Sequence, residues 1–103
     1  MVPQISEHRS EIADLCRRLQ VRKLEVFGSA EREADFDPFR SDIDFLVEFT
    51  PSDAPPPLST YFALRDGLSA TVGRPVDLVM MESIRNPYLR ASIERSKETV
   101  YAA

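Results

Sequence analysis

The spacing of apolar residues along the chain predicts four helices. In residues 4–20, Ile5, Ile12 and Leu19 recur at the helical spacing of about 3.6 residues, with charged residues on the other side. A short helix after Ser29 is indicated because a hydroxyl caps a helix start well. The predicted helices cover residues 4–20, 30–34, 58–72 and 83–97.

Alternation of apolar and polar residues predicts the strands. The clearest case is the segment I-D-F-L-V-E-F, in which Ile43, Phe45 and Val47 share one face and Asp44 lies on the other. The predicted strands cover residues 22–28, 42–49 and 75–81, and a short edge strand covers residues 99–102.

The order of these elements predicts an α/β fold. Strand 42–49, helix 58–72 and strand 75–81 form a strand–helix–strand unit, and a crossover of this length is typical of parallel strands. If strand 22–28 runs antiparallel to strand 42–49, the sheet is mixed. We expect a single domain over residues 1–103, with a small mixed β-sheet and helices packed on one face.

Composition narrows the class of protein. The net charge of −4 disfavours direct nucleic-acid binding, because proteins that bind nucleic acid directly are usually basic. No apolar run approaches the ~18 residues that span a membrane, and the N-terminus lacks the pattern of a signal peptide, so we expect a cytoplasmic protein without membrane association. Cys16 is the single cysteine and lies on the apolar side of the first helix, which predicts a buried thiol.

Three aspartates stand near the start of two predicted parallel strands. Asp42 and Asp44 open one strand and, being two residues apart, point to the same face; Asp77 opens the other strand. Parallel neighbours start at the same edge of a sheet, so the three carboxylates can converge on one or two cations. Like charges held close repel each other, and a divalent metal ion removes that cost. We expect the face that carries these acids to stay open for a ligand.

Gly28 and Ser29 follow the first predicted strand, and an antiparallel first strand would bring them to the same edge. A glycine lets a phosphate approach the backbone, and Ser29 with the following amides offers donors at a helix start. A D-x-D pair alone is often only a solubilising feature of a strand end. Its combination with Asp77 and the Gly-Ser turn favours a site for a metal ion and a nucleotide.

The segments V-F-G-S-A-E-R and S-D-I-D-F-L-V, supported by the later V-D-L, resemble the minimal nucleotidyltransferase domain of the DNA polymerase β superfamily. The similarity runs from about Leu24 to the C-terminus. It implies a polymerase-β-like palm fold. It also implies transfer of a nucleoside monophosphate from a nucleoside triphosphate, with ATP as the expected donor, to a hydroxyl, with release of pyrophosphate.

The same resemblance implies roles for individual residues. Asp42 and Asp44 would bind two Mg²⁺ ions, and Asp77 would complete one metal site and receive the proton of the attacking hydroxyl. The residues implied to contact the triphosphate are Gly28, Ser29 and Arg32.

Two features depart from the family pattern. Twelve residues separate Ser29 from Asp42, more than is usual, and Glu33 stands where a glycine commonly follows the arginine. Extra acids beside this turn could weaken nucleotide binding. The sequence therefore leaves open a rival hypothesis, a catalytically weak binding module that neutralises a toxin partner by forming a complex. A third hypothesis is an acidic α/β domain that binds neither ATP nor Mg²⁺.

The resemblance also implies a partner. The pattern predicts no helical domain of the kind with which larger relatives hold an acceptor. The small members of the family resemble antitoxins paired with all-helical HEPN toxins, in which a tyrosine of the toxin is modified with AMP. We therefore expect a HEPN-type protein partner, and both homo- and hetero-oligomers remain open.

The last predicted helix, residues 83–97, contains Pro87, which is tolerated only in a first turn. Its apolar spacing places Ile84, Tyr88 and Ala91 inward.

A few side chains outside the acidic cluster carry weaker signals. Tyr61 is expected to pack in the core. Phe36 and Phe39 either dock a partner or fold back onto the core of their own chain. Arg74 either reaches a phosphate or pairs with a surface acid.

Overall fold

The structure, a computed structural model, describes residues 1–28, 35–52 and 54–103. Its helices are α1 (Pro3–Ser6), α2 (Arg9–Arg18), α3 (Leu58–Val72) and α4 (Pro87–Ser96), and its strands are β1 (Val21–Phe27), β2 (Ile43–Phe49), β3 (Val76–Val79) and β4 (Glu98–Ala102). One turn of 3₁₀ helix, Met81–Ser83, follows β3. The predicted short helix over residues 30–34 lies outside the described residues. No helix in the described ranges is long and apolar enough to cross a membrane.

The strands of the described residues form one mixed sheet in the order β3-β2-β1-β4. β1 pairs antiparallel with both β2 and β4, whereas β2 and β3 are parallel and are joined through α3. The predicted mixed α/β fold is therefore confirmed. The predicted antiparallel first strand, parallel crossover pair and C-terminal edge strand are all present.

The main core lies on one face of the sheet. Leu24 and Val26 of β1 and Phe45 of β2 point to this face, since side chains alternate along a strand, and all three are fully buried. α2 and α3 cover them with a second set of fully buried residues: Ile12, Cys16, Leu64 and Leu68. Burial of this apolar surface is the main free-energy gain that fixes the sheet against the helices.

Cys16 belongs to this core. Its side chain is fully buried, and burial raises the pKa of the thiol to about 12, against a small opposing effect of the neighbouring Arg17 charge. A thiol that stays protonated at neutral pH is a poor nucleophile, so the prediction of a buried structural cysteine is confirmed.

The first predicted helix is divided into two. α1 ends at Ser6, and His8 has φ −120° and ψ 19°, outside the helical range. The backbone N–H of Ile12 donates to the His8 carbonyl at 3.0 Å, which starts the ladder of α2. Ile5 and Ile12 nevertheless face the same core, so the predicted apolar side of the segment is correct although its continuity is not.

The last helix begins later than predicted. It starts at Pro87 because the Asn86 side-chain oxygen accepts hydrogen bonds from the backbone N–H groups of Tyr88 (2.9 Å) and Leu89 (3.3 Å). The expectation that Tyr88 and Ala91 face inward is wrong, since both are exposed and Ile93 is the buried residue of α4.

α4 lies on the second face of the sheet, the one that carries the acids. Ile93 and Ile84 pack there against Leu46, with Phe27 and Val79 at the edge of the cluster. The acid-bearing face was expected to be open, but the cluster around Leu46 covers part of it. It is open only at the end of the sheet where β2 and β3 begin, and the aspartates lie at that end.

Candidate active site

Asp44 and Asp77 lie side by side on neighbouring strands. In the parallel register of β2 and β3, Asp44 pairs with Asp77, and in the antiparallel register of β1 and β2, Asp44 also pairs with Phe27. Neighbouring strands are about 4.8 Å apart, and paired residues project to the same face. The predicted meeting of a D-x-D aspartate with the single later aspartate is thus present in the backbone register.

The pair is electrostatically unfavourable on its own. The pKa of Asp44 is raised from 3.8 to about 6, first by burial, then by the charge and hydrogen bonding of Asp77, and last by the charge of Asp42. A half-buried carboxylate beside a second carboxylate is the arrangement that a proton or a cation stabilises. The site is therefore suited to a positively charged ligand.

Asp42 lies just before β2 and faces a different neighbour. Its carboxylate is 3.9 Å from the guanidinium of Arg74, and its side chain is 53% exposed. Among the residues described, no three His, Cys, Asp or Glu side chains stand assembled as a metal site. Asp42 is two residues from Asp44 and its charge helps to raise the pKa of Asp44, but its carboxylate is engaged with Arg74.

Gly28 approaches Asp44 from the side of β1. Its φ of +72° is strained for any other residue, and a Cβ placed on it would lie 2.6 Å from Oδ2 of Asp44. The backbone of Gly28 therefore approaches the Asp44 carboxylate more closely than any residue with a side chain allows. The predicted proximity of the Gly-Ser turn to the acids is present at Gly28.

Ser29 and Arg32, which were predicted to contact the triphosphate, lie outside the described residues, as does Glu33. Their roles stay predictions.

The described donors fit Mg²⁺. The candidate ligands are carboxylate oxygens, which Mg²⁺ prefers, and no thiol or imidazole lines the cleft beside them in the described part of the chain. Asp44 and Asp77 could share an ion, and Asp42, two residues before Asp44, could supply a further carboxylate.

A cleft of about 480 Å³ opens at the Asp44–Asp77 pair. Its acidic end is formed by that pair, and its other walls are largely apolar and include Ile84 and Leu89. Arg65 is the one cationic side chain among the described residues that line it. Its guanidinium lies 4.8 Å from the ring centre of Phe62.

Sequence reasoning missed Arg65 and the α4 wall of this cleft. Arg65 is one helical turn after Tyr61, whose hydroxyl donates to the Leu78 carbonyl of β3. That spacing places both residues along β3. The sequence could not show that β3 is an edge strand of the described sheet, because this follows only from the strand order.

A second polar group that the sequence analysis missed lies further along the same face. Glu25 is only 6% exposed, and Lys97 at the end of α4 donates to it at 3.2 Å. Lys97 also lies 3.2 Å from Glu94. Burial by itself lowers the pKa of Lys97, but its hydrogen bonds with Glu94 and Glu25 outweigh this effect and raise that pKa overall. The group fixes α4 on the sheet.

Sequence comparison finds relatives over most of the chain. A family profile described as a nucleotidyltransferase domain matches residues 9–100. A candidate protein adenylyltransferase of Methanocaldococcus jannaschii is 39% identical over 93 residues, covering 82% of this chain and 90% of the relative. The protein adenylyltransferase MntA of Thermococcus cleftensis is 35% identical over 98 residues, covering 94% of this chain and 87% of the relative.

Structural comparison gives the same result for the fold. A solved structure described as a candidate minimal nucleotidyltransferase superposes with a TM-score of 0.71 at 28% identity, over 90% of this chain and 89% of that one. The MNT antitoxin–HEPN toxin complex of Shewanella oneidensis, with a tri-AMPylated toxin, contains a chain that superposes with a TM-score of 0.62 over 95% of this chain and 72% of that one. At 18% identity this second likeness concerns the fold alone.

The profile match spans nearly the whole chain, and two relatives exceed 30% identity over more than two thirds of it. The predicted resemblance is confirmed: the chain belongs to the nucleotidyltransferase domain family, and its fold is that of a minimal nucleotidyltransferase.

Proposed function

We propose that this protein is a Mg²⁺-dependent nucleotidyltransferase that moves AMP from ATP to a hydroxyl of a partner protein. The observation that carries the proposal is the pairing of Asp44 with Asp77 beside the close approach of Gly28. The relatives named as protein adenylyltransferases support AMP as the transferred group and a protein as the acceptor.

Each residue of the site has a role in this proposal. Asp42 and Asp44 hold two Mg²⁺ ions, and Asp77 completes one of the two metal sites. Bound Mg²⁺ supplies positive charge that stabilises both the entering and the leaving oxygens of an in-line displacement. The residues that contact the triphosphate are Gly28, Ser29 and Arg32.

The transfer step involves one bond made and one bond broken. The acceptor hydroxyl oxygen forms a bond to the α-phosphorus of ATP, and the bond from that phosphorus to the oxygen bridging to the β-phosphorus breaks. Pyrophosphate leaves with the bonding electron pair. Asp77 receives the proton of the hydroxyl, because it is the exposed carboxylate of the pair and can pass the proton to solvent.

We further propose that the acceptor is a tyrosine of a HEPN toxin and that the chain acts as its antitoxin in the cytoplasm. The fold shared with the MNT antitoxin chain of the Shewanella oneidensis complex supports this choice of partner. The tri-AMPylated toxin in that complex supports AMP as the group transferred to the toxin.

A second candidate function is a binding module that neutralises the toxin without chemistry. The longer segment between Ser29 and Asp42, and Glu33 within it, favour this alternative, because added negative charge beside a triphosphate site weakens nucleotide binding.

Labelled ATP distinguishes the two candidates. The protein is incubated with Mg²⁺, ATP labelled at the α-phosphate and a HEPN-family protein from the same organism. We expect label on the HEPN protein, and loss of that label in the double variant Asp42→Asn with Asp44→Asn. The matched control is Asp14→Asn, an exposed aspartate on α2. Protection of cells from the toxin by the double variant, without label transfer, would favour the binding module.

A further inference from the structure

Asp42 lacks the support that fixes the other two aspartates. Asp44 and Asp77 are held by the ladder between β2 and β3, which begins where the Ile43 N–H donates to the Pro75 carbonyl at 3.0 Å. Asp42 precedes that first bond and pairs with no residue of a neighbouring strand in the described sheet. A carboxylate outside the ladder needs another contact to hold its direction.

Arg74 makes that contact from the connection between α3 and β3. Its Nε donates to the Ser41 carbonyl at 2.9 Å, and its terminal nitrogen lies 3.9 Å from Asp42 Oδ1. The two contacts use two branches of one planar guanidinium, which a lysine cannot reproduce. The side chain of Arg74 is 19% exposed, so it is largely packed in place.

Arg74 is itself fixed by the helix before it. Gly73 ends α3 in the left-handed conformation, with φ +72°. The Ser69 hydroxyl of α3 donates to the Arg74 carbonyl at 2.8 Å. The segment before β2 forms a local turn, in which the Ser41 N–H donates to the Asp37 carbonyl at 2.9 Å. Arg74 therefore connects the end of α3 to this turn.

We propose that Arg74 is a positioning residue of the metal site: it fixes the backbone at Ser41 so that Asp42 is presented on the face of Asp44 and Asp77. The inference rests on the proposed function in one respect, that a divalent cation binds at these aspartates. The competing interpretation is that Arg74 is only a counter-ion of Asp42, which a cation would have to displace.

The two interpretations predict opposite signs for Arg74→Gln. A counter-ion repels the metal ion, so its removal would tighten metal binding. Loss of a positioning residue scatters the directions of the Asp42 carboxylate, so metal binding becomes about tenfold weaker. Arg74→Lys keeps the charge but not the two-branched contact. If Arg74 is a positioning residue, Arg74→Lys therefore also weakens metal binding. If only the charge of Arg74 matters, Arg74→Lys leaves metal binding unchanged.

The measurement is Mn²⁺ affinity by calorimetry, with Mn²⁺ in place of Mg²⁺, on the wild-type protein and both variants at a temperature where all are folded. Arg17→Gln, an exposed arginine of α2, is the matched control and should bind as the wild type does. A purely structural role of Arg74 would lower the unfolding temperature and leave the Mn²⁺ affinity of the folded protein unchanged, which would overturn the proposal. Tighter binding by Arg74→Gln would overturn it as well.

A metal-free measurement separates this inference from the proposed function. Amide hydrogen exchange at residues 41–43 should become about tenfold faster in Arg74→Gln and stay unchanged in Arg17→Gln. If the wild-type protein binds no Mn²⁺ while exchange rises, the proposed metal-dependent function fails and the positioning of the segment stands. If exchange is unchanged, the positioning role is overturned whatever the metal result.

Discussion

Asp44 of β2 and Asp77 of β3 occupy paired positions in the parallel ladder, and the backbone of Gly28 approaches Asp44 from β1. Three adjacent strands therefore place two carboxylates and one glycine at a single point of the sheet. Burial, and then the neighbouring Asp77, raise the pKa of Asp44 at this point. The raised pKa of Asp44 and the close approach of Gly28 can be tested through protein stability, metal binding and AMP transfer.

Asp44 should destabilise the metal-free protein at neutral pH. The pKa of Asp44 is about 6 in the folded protein and 3.8 without burial and without its acidic neighbours, so the folded state binds the proton more tightly. Its contribution to stability is fully present below about pH 3.8 and is lost as the pH rises through about 6. We expect Asp44→Asn to raise the free energy of unfolding by about 1 kcal/mol at pH 7.5 and to give no gain near pH 3.5. This figure is lower than the pKa difference alone would give, because the half-buried carboxylate is partly screened by solvent.

Urea denaturation with a chelator present, at both pH values, measures this difference. Asp14→Asn serves as the control and should show no gain at either pH. An Asp44→Asn protein no more stable than the wild type at pH 7.5 would contradict the assigned cost of burying Asp44 beside Asp77.

Metal binding should be coupled to the same proton. Mg²⁺ needs the charged form of Asp44, so the Mg²⁺ concentration that gives half of the thermal stabilisation should rise about tenfold for each pH unit below about 6 and be constant above about 7. A thermal-shift titration with Mg²⁺ from pH 5 to pH 8 measures it. A midpoint that does not vary with pH over this range would mean that Asp44 is not a ligand.

Gly28 and Gly73 form a matched pair for testing the approach to Asp44. Both have φ +72°, so Gly→Ala at either position should cost about 1 kcal/mol of backbone strain. Only a Cβ at Gly28 meets Asp44, whereas a Cβ at Gly73 has nothing within 4 Å. We therefore expect Gly28→Ala to lower Mg²⁺ affinity and AMP transfer at least tenfold and Gly73→Ala, which acts only through the neighbouring Arg74, to lower both less. Equal effects of the two substitutions on transfer would contradict the account.

The observed start of α4 can be tested through its cap. Asn86→Ala removes the acceptor of two backbone N–H groups and should lower the free energy of unfolding by about 1 kcal/mol, whereas Asn86→Asp keeps an acceptor and should cost little. Chemical denaturation of the two variants provides the comparison. Equal stability of Asn86→Ala and the wild type would mean that the helix does not begin at Pro87.

The sheet could be predicted because its signals are local. Alternation in β2 fixed which side chains share a face, and the length of the crossover through α3 fixed the parallel direction of β3. These two facts were enough to bring Asp77 to Asp44. They could not reveal that Asp42 is held by Arg74, because that contact depends on a side chain crossing between two connections.

The errors in α4 also have a physical origin. Tyr88 and Ala91 have the spacing of a buried face, but the helix begins at Pro87 and turns Ile93 to the sheet instead. The Asn86-Pro87 pair was a usable start signal, since asparagine caps helices and proline is favoured at their first position.

The sequence left open whether Phe36 and Phe39 dock a partner or fold back onto their own core. In the structure Phe36 packs on the core, whereas Phe39 is 85% exposed.

The most direct test of the central claim is the intact mass of the proposed HEPN partner after incubation with ATP, Mg²⁺ and this protein. The account predicts a mass increase of one AMP or a small multiple of it with the wild-type protein, and less than about one hundredth of that rate with Asp77→Asn, whose side chain cannot accept the proton. An unchanged partner mass with the wild type, or equal modification by Asp77→Asn, would contradict it.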